Sequence, residues 1–243
     1  MLEGLYSAAA GMAAQQEQLD AIGNDLANLS TTGYKAERVA FSDLLYNQVD
    51  DAGTLTTQGA GASAKVIGSS ETEGSLRQTG DPLDLAIEGN GYFQVTRPGG
   101  EVALTRDGSF GVDASGSITN AFGNRLSPPI KLPAGVSPKE LAISADGTVT
   151  AGTHKLGQIK LVTVTSPAHL LGDGSGLLST NAASGATHAA GEARIHQGAL
   201  EESNVDVAKE MSLMVTTERT FQMASTAIQN ESQMMSIANQ LRG

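Results

Sequence analysis

Apolar residues near the N-terminus recur with the period of a coiled-coil helix. Leu5, Met12, Leu19 and Leu26 fall every seven residues, and Ala8, Gln15, Ile22 and Leu29 follow each of them three positions later. Gln15 alone interrupts this pattern, which predicts a helix from Met1 to about Leu29. A second heptad column, Val207, Met214, Phe221, Ile228 and Met235, predicts a C-terminal helix from about Ser203 to Leu241. Met211 widens that stripe, and Leu213, Ala227, Met234 and Leu241 form a neighbouring one. Ser203-Asn204 with Asp206 reads as the N-cap: short polar oxygens for orphan N–H groups, with an acid in the first turn. Between the helices the period changes to two. Leu83–Ile87, Tyr92–Thr96, Val102–Leu104, Phe110–Val112 and Gln158–Thr165 are alternating or β-branched. Gly89-Asn90-Gly91, Asp107-Gly108, Asp113–Gly116 and Asp146-Gly147 separate them as tight turns. Asp51–Ala64 and Gly172–Gly191, rich in Gly, Ala, Ser and Thr, read as mobile loops.

The pattern predicts an α+β protein: N- and C-terminal α-helices pairing as a coiled coil, a central all-β, mostly antiparallel domain, and an extended linker. The corresponding domains are residues 1–30 with 204–243, the linker 31–75, and the β-rich region 76–203. Neither helix can bury its stripe alone. A buried Leu or Ile contributes roughly 1.5–3 kcal/mol relative to exposure, and an isolated helix of this length is marginal in water. The helices therefore pack on each other, on copies of themselves, or both. Leu5, Met12, Leu19, Ile22, Leu26 and Leu29 are the candidate interface residues of the first helix. Val207, Met211, Met214, Phe221, Ile228 and Met235 are those of the second.

Composition narrows the function. The 243 residues suit one large or two small domains. A formal net charge of −11 leaves no electrostatic footprint for nucleic acid or an anionic membrane. With no Cys, thiolate zinc sites, disulfides and thiol nucleophiles are excluded. No apolar run is long enough to span a membrane. The N-terminus carries no Lys or Arg before Lys35, unlike a cleavable secretory signal. His154, His169, His188 and His196 are scattered, with no metal-binding spacing. Gly172-Asp173-Gly174-Ser175-Gly176 fails the nucleophile-elbow spacing. The series Asp107, Ser109, Gly111, Asp113 lacks the Gly and Glu of a calcium loop, and turns explain it better. No catalytic residue, metal or cofactor is expected. A secreted β-rich glycan-binding module or hydrolase is the contrasting class, and it would need an acidic or His constellation that this chain does not supply.

Asn24–Lys35, "NDLANLSTTGYK", resembles the signature of the bacterial flagellar axial proteins, N-N-L-A-N-x-x-T-x-G-[FY]-K. Asn24, Asp25, Leu26, Ala27, Asn28, Thr32, Gly33 and Tyr34 carry it, with Asp25 where the family has a second Asn. Gln78–Val95, Leu104–Ile118, Leu156–Val164, Gly198–Met211 and Glu218–Gln229 are similar to later segments of the basal-body rod members, in the same order. The resemblance implies a structural subunit of the proximal or distal rod, or a hook-type axial protein, although hook proteins are longer. It implies export through the flagellar type III apparatus without a cleaved signal. It also implies helical self-assembly into a hollow torque-transmitting shaft. The implied partners are copies of itself, other rod proteins, the hook protein and basal-body ring proteins.

Overall fold

Two α-helices bracket the chain, α1 over Leu2–Ala27 and α2 over Val207–Gln240. The computed structural model describes residues 2–49, 55–133 and 135–240. Met1, linker residues 50–54 and the expected helix end at Leu241 lie outside the described residues. The chain divides into two compact units. The helical unit takes the chain up to Leu26, Glu37–Ile67, and Asp206 onward; the β unit takes Ala27–Ala36 and Gly68–Val205.

In the helical unit, α2 is capped by Asp206, whose Oδ1 accepts the N–H groups of Ala208 (3.0 Å) and Lys209 (3.2 Å). The predicted capping cluster thus resolves to one residue. The Ser203 hydroxyl accepts only from Val205, and Asn204 is used elsewhere, as described below. Thr217 is buried in α2, and its hydroxyl bonds the Leu213 carbonyl, which satisfies a polar group away from water.

The linker region also contains regular structure. Strand β1 (Glu37–Val49) pairs with strand β2 (Leu55–Ser69) in a two-stranded ribbon. The part of Asp51–Ala64 that is described, from Leu55 on, is strand and not mobile loop. Its small residues have a packing reason. Gly61 has φ +107°, and a Cβ there would lie 2.9 Å from the Ser7 carbonyl oxygen and 3.0 Å from Ala10 Cβ. The composition that reads as flexible lets the ribbon approach α1 closely.

The β unit has a conventional apolar core. Leu85, Ile87, Phe93, Val95, Ile118, Leu126, Val149 and Ile159 are buried together, and Phe93 meets Phe110 edge-on at 5.3 Å. Tyr92–Thr96 sits inside the largest sheet, between Val102–Thr105 and Arg125–Leu126, and also pairs with Leu161–Val164. The registers described are all antiparallel. Asp113–Gly116 and Asp146-Gly147 turn hairpins as expected. Gly89–Gly91 and Asp107-Gly108 do not, because Leu85–Glu88 pairs with Arg194–Gln197 and Phe110–Val112 with Ile118–Asn120. Gly89–Gly91 leads from one sheet to another, and Asp107-Gly108 joins two strands of the largest sheet that are not neighbours in it. Gly172–Gly191, expected as mobile loop, contributes the short strands Leu177–Ser179 and Thr187–Ala189.

Candidate assembly faces and the signature turn

Within the helical unit, two contacts set the register of α1 and α2. A Cβ on Gly4 would lie 3.3 Å from Glu231 Oε2, and the Asp25 carboxylate acts on Glu210. Gly4 to Asp25 and Glu231 back to Glu210 span the same length of helix, so the helices run antiparallel. Ala14, Ala21, Ile22 and Asp25 are the buried residues of α1. Leu5, Met12, Leu19 and Leu26, at least a third of a turn away around the helix on average, are only half-buried.

On α2, Met214, Phe221, Ile228 and Met235 are half-buried, while Val207 and Met211 are exposed. Leu29 lies beyond the end of α1, exposed and in the β unit, so it does not extend the helical stripe as predicted. Further apolar side chains of the helical unit face solvent: Tyr6 at 74 %, Met223 at 66 %, Val215, Ile237, Phe41 and Leu45. Tyr6, Val215 and Ile237 fall outside both predicted columns, so heptad counting does not find them.

The signature is divided between the units. In the helical unit, Asn24 Nδ2 donates to Glu37 Oε1 (2.8 Å), and the buried Asp25 accepts the Glu37 N–H (3.0 Å). Asp25 acts as an acceptor toward Glu37, a role that the oxygen of the family's amide can also fill. Burial raises the Glu37 carboxyl above the ordinary range, helped by the charges of Asp25 and Glu17 and opposed by Asn24. Burial and then the Asp25 charge raise Glu210 likewise.

In the β unit the rest of the signature is a stitched turn. Thr31 closes on Asn28, and the Thr32 hydroxyl donates to Asp107 Oδ1 at 2.6 Å. Gly33 adopts φ +67° with its N–H on the Glu201 carbonyl (2.9 Å), and any Cβ there would lie 2.5 Å from the Arg106 backbone. Only glycine fits both demands. Lys35 pairs with Glu201 and donates to the Thr72 carbonyl (2.8 Å). Burial lowers the Lys35 pKa, against the pull of Glu201. Glu201 is itself buried, and its other oxygen takes Arg106 Nη1 at 3.1 Å. Arg106 stacks over Tyr92 and donates to the Gly89 carbonyl. Asp107 and Glu201 are the partners that sequence reasoning missed.

The chemistry of the site is adhesive. Among the described residues no group of three or more His, Asp or Glu side chains could hold a metal ion, and no helix is long and apolar enough to cross a membrane. Asp113 closes its hairpin by accepting from the Ser115 and Ser117 N–H groups.

Three family models match in chain order. "Flagella basal body rod protein" covers residues 5–35, "Flagellar hook protein FlgE/F/G D1 domain" 86–151, and "Flagellar basal body rod FlgEFG protein C-terminal" 196–241. The flagellar basal-body rod protein FlgG of Borreliella burgdorferi is 35% identical over 263 residues, covering 100% of this chain and 99% of the relative. The chain belongs to the FlgG family of flagellar basal-body rod proteins. FlgG of Caulobacter vibrioides is 33% identical across 99% of this chain and 100% of its own length. FlgG of Bacillus subtilis is 33% identical across 94% of each. The hook protein FlgE of Treponema pallidum matches only 49% of this chain and 28% of itself, at 36% identity. The FlgG family, not the hook protein, therefore accounts for the whole chain, central β region included. The FlgG relatives are named for a structural part of the flagellum, and the hydrolase or glycan-binding alternative is not favoured.

Proposed function

We propose that this chain is a structural subunit of the flagellar rod that polymerises through its helical unit into a hollow, torque-transmitting shaft. The observation that carries the reading is the half-buried Leu5–Met12–Leu19–Leu26 column beside a fully used Ala14–Ala21 face. The small residues of α1 are buried within the chain, and the large ones are left for neighbours. Together with Met211, Met214, Phe221, Ile228 and Met235 on α2, they supply a coiled-coil layer whose contacts are heterologous and do not close, the geometry of a filament. Residues 1–30 and 204–243 form this inner layer, 31–75 the connection and 76–203 the outer domain. Partners are copies of the chain, other rod proteins, the hook protein and basal-body ring proteins. Export is through the flagellar type III apparatus without a cleaved signal, and catalysis plays no part.

Sedimentation velocity tests this. The full chain should shift to larger species with concentration, and a Met12→Gln, Leu19→Gln variant should stay monomeric. A full chain that is strictly monomeric at high concentration, or a double variant that sediments like the parent, rejects the reading. In a flagellated host lacking its own copy, the parent should restore motility and the double variant should not.

A further inference from the structure

The chain passes between the helical unit and the β unit four times, after Leu26, Ala36, Ile67 and Val205. Inside the β unit, the segments at all four crossings are tied to one another by two residues. Glu201 offers its carbonyl to Gly33 and its carboxylate to Lys35, the Gly74 N–H (3.0 Å) and Arg106. Asn204 accepts the Ala36 N–H on Oδ1 at 2.7 Å, donates from Nδ2 to the Thr72 carbonyl at 2.8 Å, and sends its own N–H to the Tyr34 carbonyl. Ser70 N–H closes the set on the Ala36 carbonyl at 2.7 Å. Such a buried ionic knot is weak as a source of stability but strong as a source of geometry, because a partner left alone there is costly.

The segment leaving α1 and the segment entering α2 are thus held side by side before either helix finds its mate. Holding two chain ends together raises the effective concentration of one helix for the other within the same chain. Without that constraint, identical helices on another copy are equally good partners, the condition for exchange of an element between protomers. We propose that Glu201 and Asn204 are positioning residues that lock the roots of α1 and α2 together, so that the two helices pair within one chain and do not swap with a neighbour. The inference rests on reading the helical unit as the polymerising part. It concerns which chain supplies each helix, not whether polymerisation occurs.

The Cys-free chain makes the test clean. Gly4→Cys and Glu231→Cys place thiols at neighbouring positions on α1 and α2, and a short bis-maleimide records whether they belong to one chain. The dilute full-length parent should cross-link internally and run as a monomer on a denaturing gel. Glu201→Gln and Asn204→Ala should each cut the internal product several-fold and raise the interchain product as concentration increases. Hydrogen-exchange protection of the core strands Leu85–Glu88 and Tyr92–Thr96 establishes that the β unit is still folded. If Glu201→Gln unfolds it, Asn204→Ala decides. Variants with an intact β unit that keep the parent's internal yield overturn the proposal, as does a parent that cross-links only between chains. Sedimentation of the same samples separates the two ideas. A chain that never polymerises yet shows clamp-dependent internal pairing sinks the rod reading and leaves the clamp standing.

Discussion

The two units spend their apolar residues differently. In the β unit the large side chains converge: Phe93 and Val95 are fully enclosed and Phe110 nearly so. In the helical unit, buried positions go to Ala14, Ala21, Ile22 and even Asp25, while Met223, Met234 and Ile237 face solvent. A domain that folds for itself puts its largest apolar surface inside. A segment that folds for a neighbour keeps it outside, and broad exposed apolar patches on an otherwise acidic chain mark interaction surfaces. On the proposal that the helical unit is the polymerising part, the difference separates a unit complete in itself from one that a neighbour completes.

Core truncation should break the symmetry of the two units most. Phe93→Ala removes a ring with no solvent exposure and its edge-on contact with Phe110. It should cost about 3–5 kcal/mol in denaturant unfolding of the β unit. Next comes the knot. Glu201→Gln leaves Lys35 and Arg106 buried beside a neutral amide, an expected loss of about 3 kcal/mol in the same measurement. Smaller still is the cap: Asp206→Ala removes the acceptor for two N–H groups at the start of α2 and should cost about 1 kcal/mol of helix stability by far-ultraviolet circular dichroism.

These sites differ in how legible they are from the chain alone. The heptads of α1 and α2 are local and visible, and so are Tyr92–Thr96 and the Asp113–Gly116 turn, because each depends on neighbours a few residues away. Thr32 with Asp107 and Lys35 with Glu201 are 75 and 166 residues apart in sequence. No spacing rule reaches that far, so the signature is recognisable as a motif while its partners are not. The ribbon fails for a different reason. Gly61 disfavours strand by propensity, and its close approach to Ser7 and Ala10 of α1 explains it. On α1 the column Leu5, Met12, Leu19 and Leu26 is legible while its partner is not, since periodicity sets spacing but not which partner a face takes.

Acid should separate the units in opposite directions. The raised pKa values of Glu37 and Glu210 mean that the folded helical unit holds those protons more tightly than the unfolded chain. Their ionisation costs stability at neutral pH, and the cost fades as pH falls through the raised values toward the ordinary carboxylate range near ~4.3. In the β unit the signs reverse. Asp113 is lowered by the Ser115 hydroxyl and the Ser117 N–H, Asp146 by the Thr148 N–H and hydroxyl, and Asp173 by the Ser179 hydroxyl and then Arg97. Their contribution is present above an unfolded value near ~3.9 and is lost as pH falls through the lower folded values. Hydrogen exchange followed from pH 7 downward should show α1 and α2 gaining protection before the β unit loses any. Loss of protection in both units together would mean that Glu37 and Glu210 do not govern the helical unit.

The smallest effect on the isolated chain is the most informative. Met223 is 66 % exposed on α2, so Met223→Ser removes almost no buried surface and should change monomer unfolding by no more than about 0.5 kcal/mol. A residue that serves only its own chain would end there. If Met223 is held for a neighbour, the same substitution should lower the tendency to polymerise in sedimentation while leaving the monomer's melting curve in place, the reverse of Phe93→Ala at matched chain concentration. A Met223→Leu variant, apolar and of similar size, should polymerise like the parent. Should Met223→Ser destabilise the monomer and spare polymerisation, the exposed face of α2 would belong to the chain itself, and the contrast between a finished unit and a waiting one would fail at its clearest position.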